Sequence, residues 1–561
     1  MKIWKSLSII FVSGFFLLQS VELESCAGGD WEEWTDYRFF NPELTAKPQF
    51  RPLFFTLDRL YDYTWDENED FKRKENLADW QSFFQNQTKA TDVEALVYGS
   101  NKTQLESIKT FVQNPATALQ NVFKNNSAVQ VLAQNKDITT LDYLIFAKTC
   151  EPFAVQGNEW NTENVPQTAN PQMLKLATQA EQKYGSVTNV FLKMRYAYQA
   201  VRMAHYAGVN ARAIALYDKL VQPLITESVA KYWALGHKAG AIRRQKSNNA
   251  LAAYLFSLVF DKSESKRINA FYSFRIHTDA EWKQAMALCK NTREKTTLYF
   301  MRAIQPNNLM LEEMKNIYAL DPSSEYLDVL LVREMNKYEI SKGTKNEDLK
   351  IFTQKSAGLR AFISQVLAGG KVKNKDLWTL ALGYADYLSG KPQEAKKTFA
   401  SLSGSPAEVK NQLATFDLMV QLAEIQKLDA ATEEKLFSQI AATKSEPLLK
   451  LMIGVFEELY KKQGETAKMY LSKNSISELK TSPDAKMVES LLLFADKFQQ
   501  TTYEKVLLAK LGEGITAKEN LLEMKATLLM REDKLDEAQA ILSKLTIKPV
   551  EVEGIAIEGK I

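Results

Sequence analysis

The residues with the clearest capacity for chemistry are arginines set among aromatic rings. Between Val190 and Gln305 the chain carries 19 Lys and Arg against 7 Asp and Glu, an excess of 12 in a chain whose formal net charge is +3, so the remainder is net −9. Arg195, Arg202, Arg212, Arg243, Arg244, Arg267, Arg275, Arg293 and Arg302 alternate there with Tyr196, Tyr198, Tyr206, Tyr232, Trp233, Tyr272 and Trp282. A guanidinium fork meets a carboxylate or phosphate with two parallel hydrogen bonds, and aromatic rings stack on sugars or on arginine itself. The combination suits an anionic, partly apolar ligand, with Arg195, Arg202, Tyr232, Trp233, Arg243, Arg244 and Arg275 as candidate binding residues. The competing reading pairs these arginines with the acidic flanks of neighbouring helices and assigns the tyrosines to the core.

No catalytic constellation accompanies the band. His205, His237 and His277 form no H-E-x-x-H and no close pair on one helical turn, so a zinc site would require three helices to converge. They read as structural or surface histidines. Gly369-Gly370-Lys371 lacks the upstream glycine and the following Ser or Thr of a phosphate loop, and Gly512-Glu513-Gly514 does not complete a dinucleotide fingerprint. Ser403-Gly404-Ser405-Pro406 lacks the spacing of a nucleophile elbow. Asp66, Asn68 and Asp70 imitate the start of a calcium loop, but Phe71 holds the obligatory glycine position and Leu77 that of the bidentate carboxylate. Cys26, Cys150 and Cys289 are too few for a disulfide framework; Cys150 and Cys289, in apolar helical contexts, read as buried free thiols, with a bridge between them as the alternative. No catalytic residue, metal ligand or cofactor is assigned.

The elements that position the band are helical hairpins, most legible in Leu377 to Leu402. Leu377, Ala381, Tyr384 and Leu388 recur at the spacing of one helical face, Gly390 stops the helix, and Pro392 fits the first turn of the next, which buries Ala395, Phe399 and Leu402. Leu382-Gly383, Gly390, Ala395 and Phe399 stand at the offsets of the tetratricopeptide repeat, which this hairpin resembles. A weaker copy spans Asn520 to Leu545, with Ala526, Leu529, Leu535, Ala538 and Leu542 in matching places. Ala213 with Tyr217 and Ala250 with Tyr254 repeat the alanine-to-aromatic offset at a longer spacing, so the repeats are degenerate. In addition GGDWEEW, YLIFAKTCEPF, RYAYQAVRMAHYAG and GHKAGAIRR together resemble an uncharacterised family of secreted helical-repeat proteins of Bacteroidota, a resemblance that implies no chemistry for any residue.

These features predict an all-α fold: a degenerate tetratricopeptide-like α-solenoid with an irregular, aromatic-rich N-terminal cap. A charged fraction of 25% and a hydrophobic fraction of 45% over 561 residues fit a folded chain, and stacked repeats let one core grow lengthwise. Residues 1–27 read as an export signal, with Lys2 and Lys5 before an apolar run from Leu7 to Leu18. Residues 28–165 form an N-terminal helical unit whose aromatics, as far as Phe84, cover the apolar end of the stack. A polar loop, Gly157 to Asn170, separates it from helical repeats at 166–405 carrying the basic band, and further repeats fill 406–561. Val550 to Ile561 alternates with the period of a strand and has no second strand to pair with, so it reads as a frayed tail or as a strand donated to a partner.

The function expected from this organisation is a non-enzymatic binding scaffold of the bacterial envelope or exterior that engages a protein or peptide. The alternatives are an anionic envelope glycan bound by the basic aromatic band, and an enzyme without a recognisable motif. Export disfavours nucleic acid, and membrane attachment would come only from a lipid on Cys26. Ser25-Cys26-Ala27 fits small-x-small cleavage, whereas Leu23-Glu24-Ser25-Cys26 resembles a lipoprotein box with a charged residue where a small one is preferred. Intact-mass measurement of the exported chain should find it beginning at Gly28; an acylated Cys26 at the N-terminus would make it a lipoprotein.

Overall fold

Helix starts are set by short polar side chains that satisfy helix-end amides, which otherwise have no partner. Asn101, Asp137, Asn170, Asn189, Ser228, Asn248, Asn291, Asn374, Asp429 and Thr501 each accept a backbone N–H bond at the N-cap of the helix that follows. Pro171 and Pro392 occupy first turns, and Gly390, at φ +76°, takes the left-handed conformation just after a helix end.

The protein, seen here as a computed structural model, is described for residues 39–45, 50, 65–153, 170–305, 310–341, 348–475, 478–479, 484–497, 499–511, 515–546, 550–552 and 555–557. It is an all-α, solenoid-like stack of helical hairpins. The export signal, Cys26 and residues 28–38 of the expected cap lie outside the described residues. Helix α1 (Trp65–Phe83) lies on the beginning of the stack, against α2 (Val190–Tyr206) and α3 (Val229–Gln245). Farther along, α4 (Glu325–Ser341), α5 (Lys375–Leu388) and, beyond the second helix of the hairpin, α6 (Pro392–Ala400), α7 (Ala407–Glu424) follow one another. Helices α4, α5 and α7 touch in sequence as one layer, while Met310–Leu320, Asp348–Gly369 and α6 form the second. The calcium-like Asp66, Asn68 and Asp70 fall in the opening turns of α1, which excludes a loop there.

The hairpin read from Leu377 to Leu402 is reproduced in detail. Leu377, Ala381, Tyr384, Leu388, Ala395, Phe399 and Leu402 are all buried. A methyl group added at Gly383 would collide with the Phe399 ring, so the glycine is the condition for that aromatic to sit between α5 and α6. The ring then stacks on Phe416 of α7, with centroids 5.3 Å apart, and couples this hairpin to the next. Ala213, Tyr217, Ala250 and Tyr254 are likewise buried. At the end of the stack Ala538 is buried while Leu535 is 58% exposed, because no further hairpin covers it.

The N-terminal aromatics correct the expectation of an end cap. Trp80 does pack on early helices, 4.9 Å from Phe191 and 5.9 Å from Tyr143. Phe50 and Phe40, however, lie far down the stack: Phe50 sits 5.9 Å from Tyr326, and Phe40 sits 5.8 Å from Tyr384 and 6.0 Å from Phe416. Residues 39–45 form an arm laid along the repeats, and with Phe50 they run opposite to the repeat order. At the other terminus Val550–Val552 pairs antiparallel with Ile555–Ile557, so the tail that was expected to have no second strand supplies both strands itself.

One buried network holds the C-terminal hairpins. Glu433 accepts hydrogen bonds from the Tyr460 hydroxyl at 2.6 Å, from Lys468 at 3.1 Å and from the Thr501 hydroxyl. Glu504 accepts from Lys468 at 2.8 Å and Lys497 at 2.6 Å. Burial opposes the charge of Glu504, but the bonds from Lys468 and Lys497 hold its carboxyl below the usual range.

Phe399→Ala should lower unfolding stability by about 3–5 kcal/mol through lost burial and the cavity left between α5 and α6. Gly383→Ala should also destabilise, by the clash, and combining the two should cost less than their sum because the smaller residue at 399 leaves room for the methyl. Chemical denaturation of the three variants measures this, and strict additivity would mean that the two residues do not touch.

Candidate functional site

The arm, which turns through a single stretch of 3-10 helix at Pro42–Thr45, is held by side chains that satisfy its backbone groups. Gln412 of α7 donates to the Phe39 carbonyl at 2.7 Å, and its own carbonyl accepts the Asn41 N–H at 3.0 Å, a two-point pairing of an amide side chain with a peptide backbone. Asn336 of α4 donates to the Phe40 carbonyl at 3.2 Å, and Asn374, which caps α5, donates to the Leu44 carbonyl at 3.0 Å. Phe40 is fully buried as the anchor between Tyr384 and Phe416. Arg267 lies over the Phe50 ring at 4.9 Å. Side-chain amides for the backbone and an aromatic pocket for one residue are determinants by which a surface takes a peptide segment. Sequence reasoning missed Asn336, Asn374 and Gln412, because a lone amide on a helix carries no local signal.

The basic band does not converge as one cluster. Arg195 is buried rather than offered to a ligand: it donates to Asp79 and Asn76 of α1, both at 2.5 Å, and lies over the rings of Trp80, Phe191 and Trp233. The same Asp79 oxygen accepts from Ser228, which caps α3. Glu75 of α1 accepts the backbone N–H groups of Glu264 and Ser265, so α1 is pinned to two starts of the stack. Trp233 donates to Ser265 at 3.0 Å and packs 5.5 Å from Tyr198, and Tyr232 turns to Glu227 at 2.7 Å. Arg243 reaches the Ser273 carbonyl at 3.5 Å, while Arg275, exposed, bonds the Phe274 carbonyl at 2.9 Å, away from Arg195 and Arg202. Arg202 lies two turns beyond Arg195 on the same face of α2, over the rings of Tyr198 at 5.6 Å and Tyr206 at 5.9 Å. Arg244, exposed on α3, contributes charge beside the histidines.

Between α2 and α3 the structure brings together two of the three histidines. His205 and His237 meet through their Nδ1 atoms at 2.9 Å, and both are at least nine-tenths buried. One ring must donate and the other accept, so the accepting ring is neutral. Burial, with Arg244 and Arg243 nearby, pulls His205 down to about 3, and burial with His205 and Lys266 holds His237 well below its ordinary value. Gly240 makes the approach possible, since a side chain there would press on the His205 ring at 3.0 Å. His277 is exposed and stays apart, its backbone N–H bonded to Glu281. Cys150 and Cys289 are free thiols, one buried and one half-buried; burial raises them to about 12 and about 11, so neither is a ready nucleophile. Among the described residues no group of three or more His, Cys, Asp or Glu is placed to hold a metal ion.

Comparison of the chain with protein-family models, curated proteins and solved structures finds no match.

The histidine pair generates a pH dependence of known sign. Both groups titrate lower in the folded chain than the ordinary value of about 6.5, so the unfolded chain binds their protons first. Their contribution is intact above about pH 6.5 and is lost as the pH falls toward the folded values, steepening the decline by up to about 1.4 kcal/mol per pH unit for each histidine. Denaturation midpoints between pH 7 and 5.5 should therefore fall more steeply for the wild type than for His205→Asn/His237→Asn. Equal slopes would mean that the folded pair already carries the protons.

Proposed function

We propose that this protein is a non-enzymatic binding scaffold that holds a short segment of a protein or peptide partner along the layer formed by α4, α5 and α7. The observation that carries the reading is the grip on residues 39–45, in which Gln412, Asn336 and Asn374 take backbone groups and Tyr384 with Phe416 encloses one aromatic anchor. Backbone capture of this kind is indifferent to most of the bound sequence and selects through the pocket, here for a phenyl ring. The arm is then the segment that fills the site in the absence of a partner.

The tetratricopeptide-like offsets at Gly383, Gly390, Ala395 and Phe399 support assigning the scaffold to that class of helical repeat, many of whose surfaces serve partner binding. Lys2, Lys5 and the apolar run to Leu18 support work outside the cytoplasm, in the envelope or beyond it. Among the described residues no helix is long and apolar enough to cross a membrane.

A fluorescent peptide of sequence Phe-Phe-Asn-Pro-Glu-Leu-Thr, matching residues 39–45, tests the reading by anisotropy. It should bind the Phe40→Ala chain, whose arm has lost its anchor, and bind the wild type at least tenfold more weakly. Adding Gln412→Leu to the Phe40→Ala chain should abolish the gain. A folded Phe40→Ala chain that takes up no peptide would make the contact a fixed piece of core.

A further inference from the structure

Arg195 and Arg202 are the same residue type on the same face of α2, seven residues apart, and the chain treats them differently. At Arg195 it supplies a carboxylate, Asp79, with Trp80 and Phe191 as flanking rings. At Arg202 the flanking rings are present, Tyr198 and Tyr206, and the carboxylate is not. Among the described residues the acceptors for its N–H groups are neutral: the Gln199 side-chain carbonyl at 3.4 Å and the Tyr206 hydroxyl. The groups that act on its charge are Tyr198, Tyr206, Cys150 and Tyr143, and none of the described carboxylates pairs with it.

A guanidinium has five N–H donors in a planar fork, and removing it from water without an anion is unfavourable. Arg202 is only partly exposed, and its bonds to Gln199 and Tyr206 engage two of its five donors, both with neutral partners, while burial disfavours charge on the neighbouring His205 and His237. The positive charges of Arg244 and Lys266 act on the same histidines, so the potential there favours an anion rather than another cation. Tyr206 and Arg202 are both half-buried rather than enclosed, whereas Tyr198 and Gln199 beside them are buried and fix the guanidinium's position.

We propose that Arg202, between Tyr198 and Tyr206, is a binding site for a carboxylate of a partner peptide, which completes in trans the pairing that Asp79 makes with Arg195 in cis. The site is independent of the arm groove, since it uses a different end of the stack and other residues. The carboxylate takes two N–H bonds from the fork while the tyrosine rings pack on its methylene stem.

The test uses the full chain, a labelled hexaglutamate peptide, and free glutarate and inorganic phosphate as competitors at matched ionic strength. Hexaglutamate should bind saturably, glutarate should compete, and Arg202→Gln should weaken binding at least tenfold. The same variant should keep or raise the melting midpoint, because it removes a charge that has no partner in the unliganded protein. Arg202→Lys should bind with intermediate strength, retaining the charge and losing the fork. Competition by phosphate with no competition by glutarate would overturn the carboxylate assignment. Equal binding by wild type and Arg202→Gln, no binding by either, or an unfolded Arg202→Gln chain would each overturn the site itself. None of these outcomes touches the seven-residue arm peptide, so either reading can fail without the other.

Discussion

A short segment packed against helices, with only one turn of 3-10 helix of its own at Pro42–Thr45, leaves backbone groups that need partners from the stack, and leaving them unsatisfied is unfavourable by about 1–3 kcal/mol each. The stack meets this constraint with side-chain amides. Gln412 serves Phe39 and Asn41, Asn336 serves Phe40, and Asn374 serves Leu44 while also capping α5. Because these helices also present Tyr384 and Phe416 to Phe40, the arm is fixed by direction and by one anchor together. The long reach of the contacts has a structural consequence: residues near the start of the described chain stabilise helices more than 370 positions away. A solenoid is ordinarily held only by nearest neighbours, and the arm adds a tie across several units at once.

Charge is distributed by the same logic of local satisfaction. Arg195, Glu433 and Glu504 are buried, and each is surrounded by oppositely charged or hydrogen-bonding groups, as a charge removed from water requires. The histidine pair takes the other solution and remains neutral. Arg202 follows neither rule. Its described neighbours are aromatic and neutral, in contrast to those of Arg195, Glu433 and Glu504.

What the sequence revealed depended on how far apart the interacting residues lie. The hairpin at Leu377–Leu402 was legible because glycine, alanine and phenylalanine act on each other across a single turn between consecutive helices, and Gly383 with Phe399 has the packing those offsets require. The basic band was legible as composition, but the fate of each arginine was not. Arg195 and Arg202 look alike in their own helix and differ only by Asp79, which is 116 positions from Arg195. His205 and His237 likewise meet from separate helices, 32 positions apart, beyond the reach of a search along one turn. The N-terminal aromatics were recognised as a covering for the stack, yet their destinations were hidden because an amide such as Gln412 announces nothing until the peptide it holds is beside it. The tail at Val550 failed for the opposite reason, since its pairing partner was the other half of the same short segment.

The arm and the arginine bear on each other through tethering. A segment joined to its own binding surface competes at an effective concentration that reaches the millimolar range for a short flexible link, so a partner carrying only the same aromatic and backbone features is at a disadvantage to the arm. Equal contacts in cis and in trans leave the arm in place. A partner must therefore bring an interaction that the arm lacks. Asp79, the carboxylate that the N-terminal segment contributes to α2, ends at Arg195. A partner that places its own carboxylate at Arg202 gains a pairing absent from the unliganded protein, and a coupling of about 1.4 kcal/mol is already a tenfold shift in occupancy. On the proposed reading, displacement of the arm and capture of an acid are parts of one selection, in which the phenyl pocket sets what fits and a guanidinium without a carboxylate among the described residues sets what is able to compete.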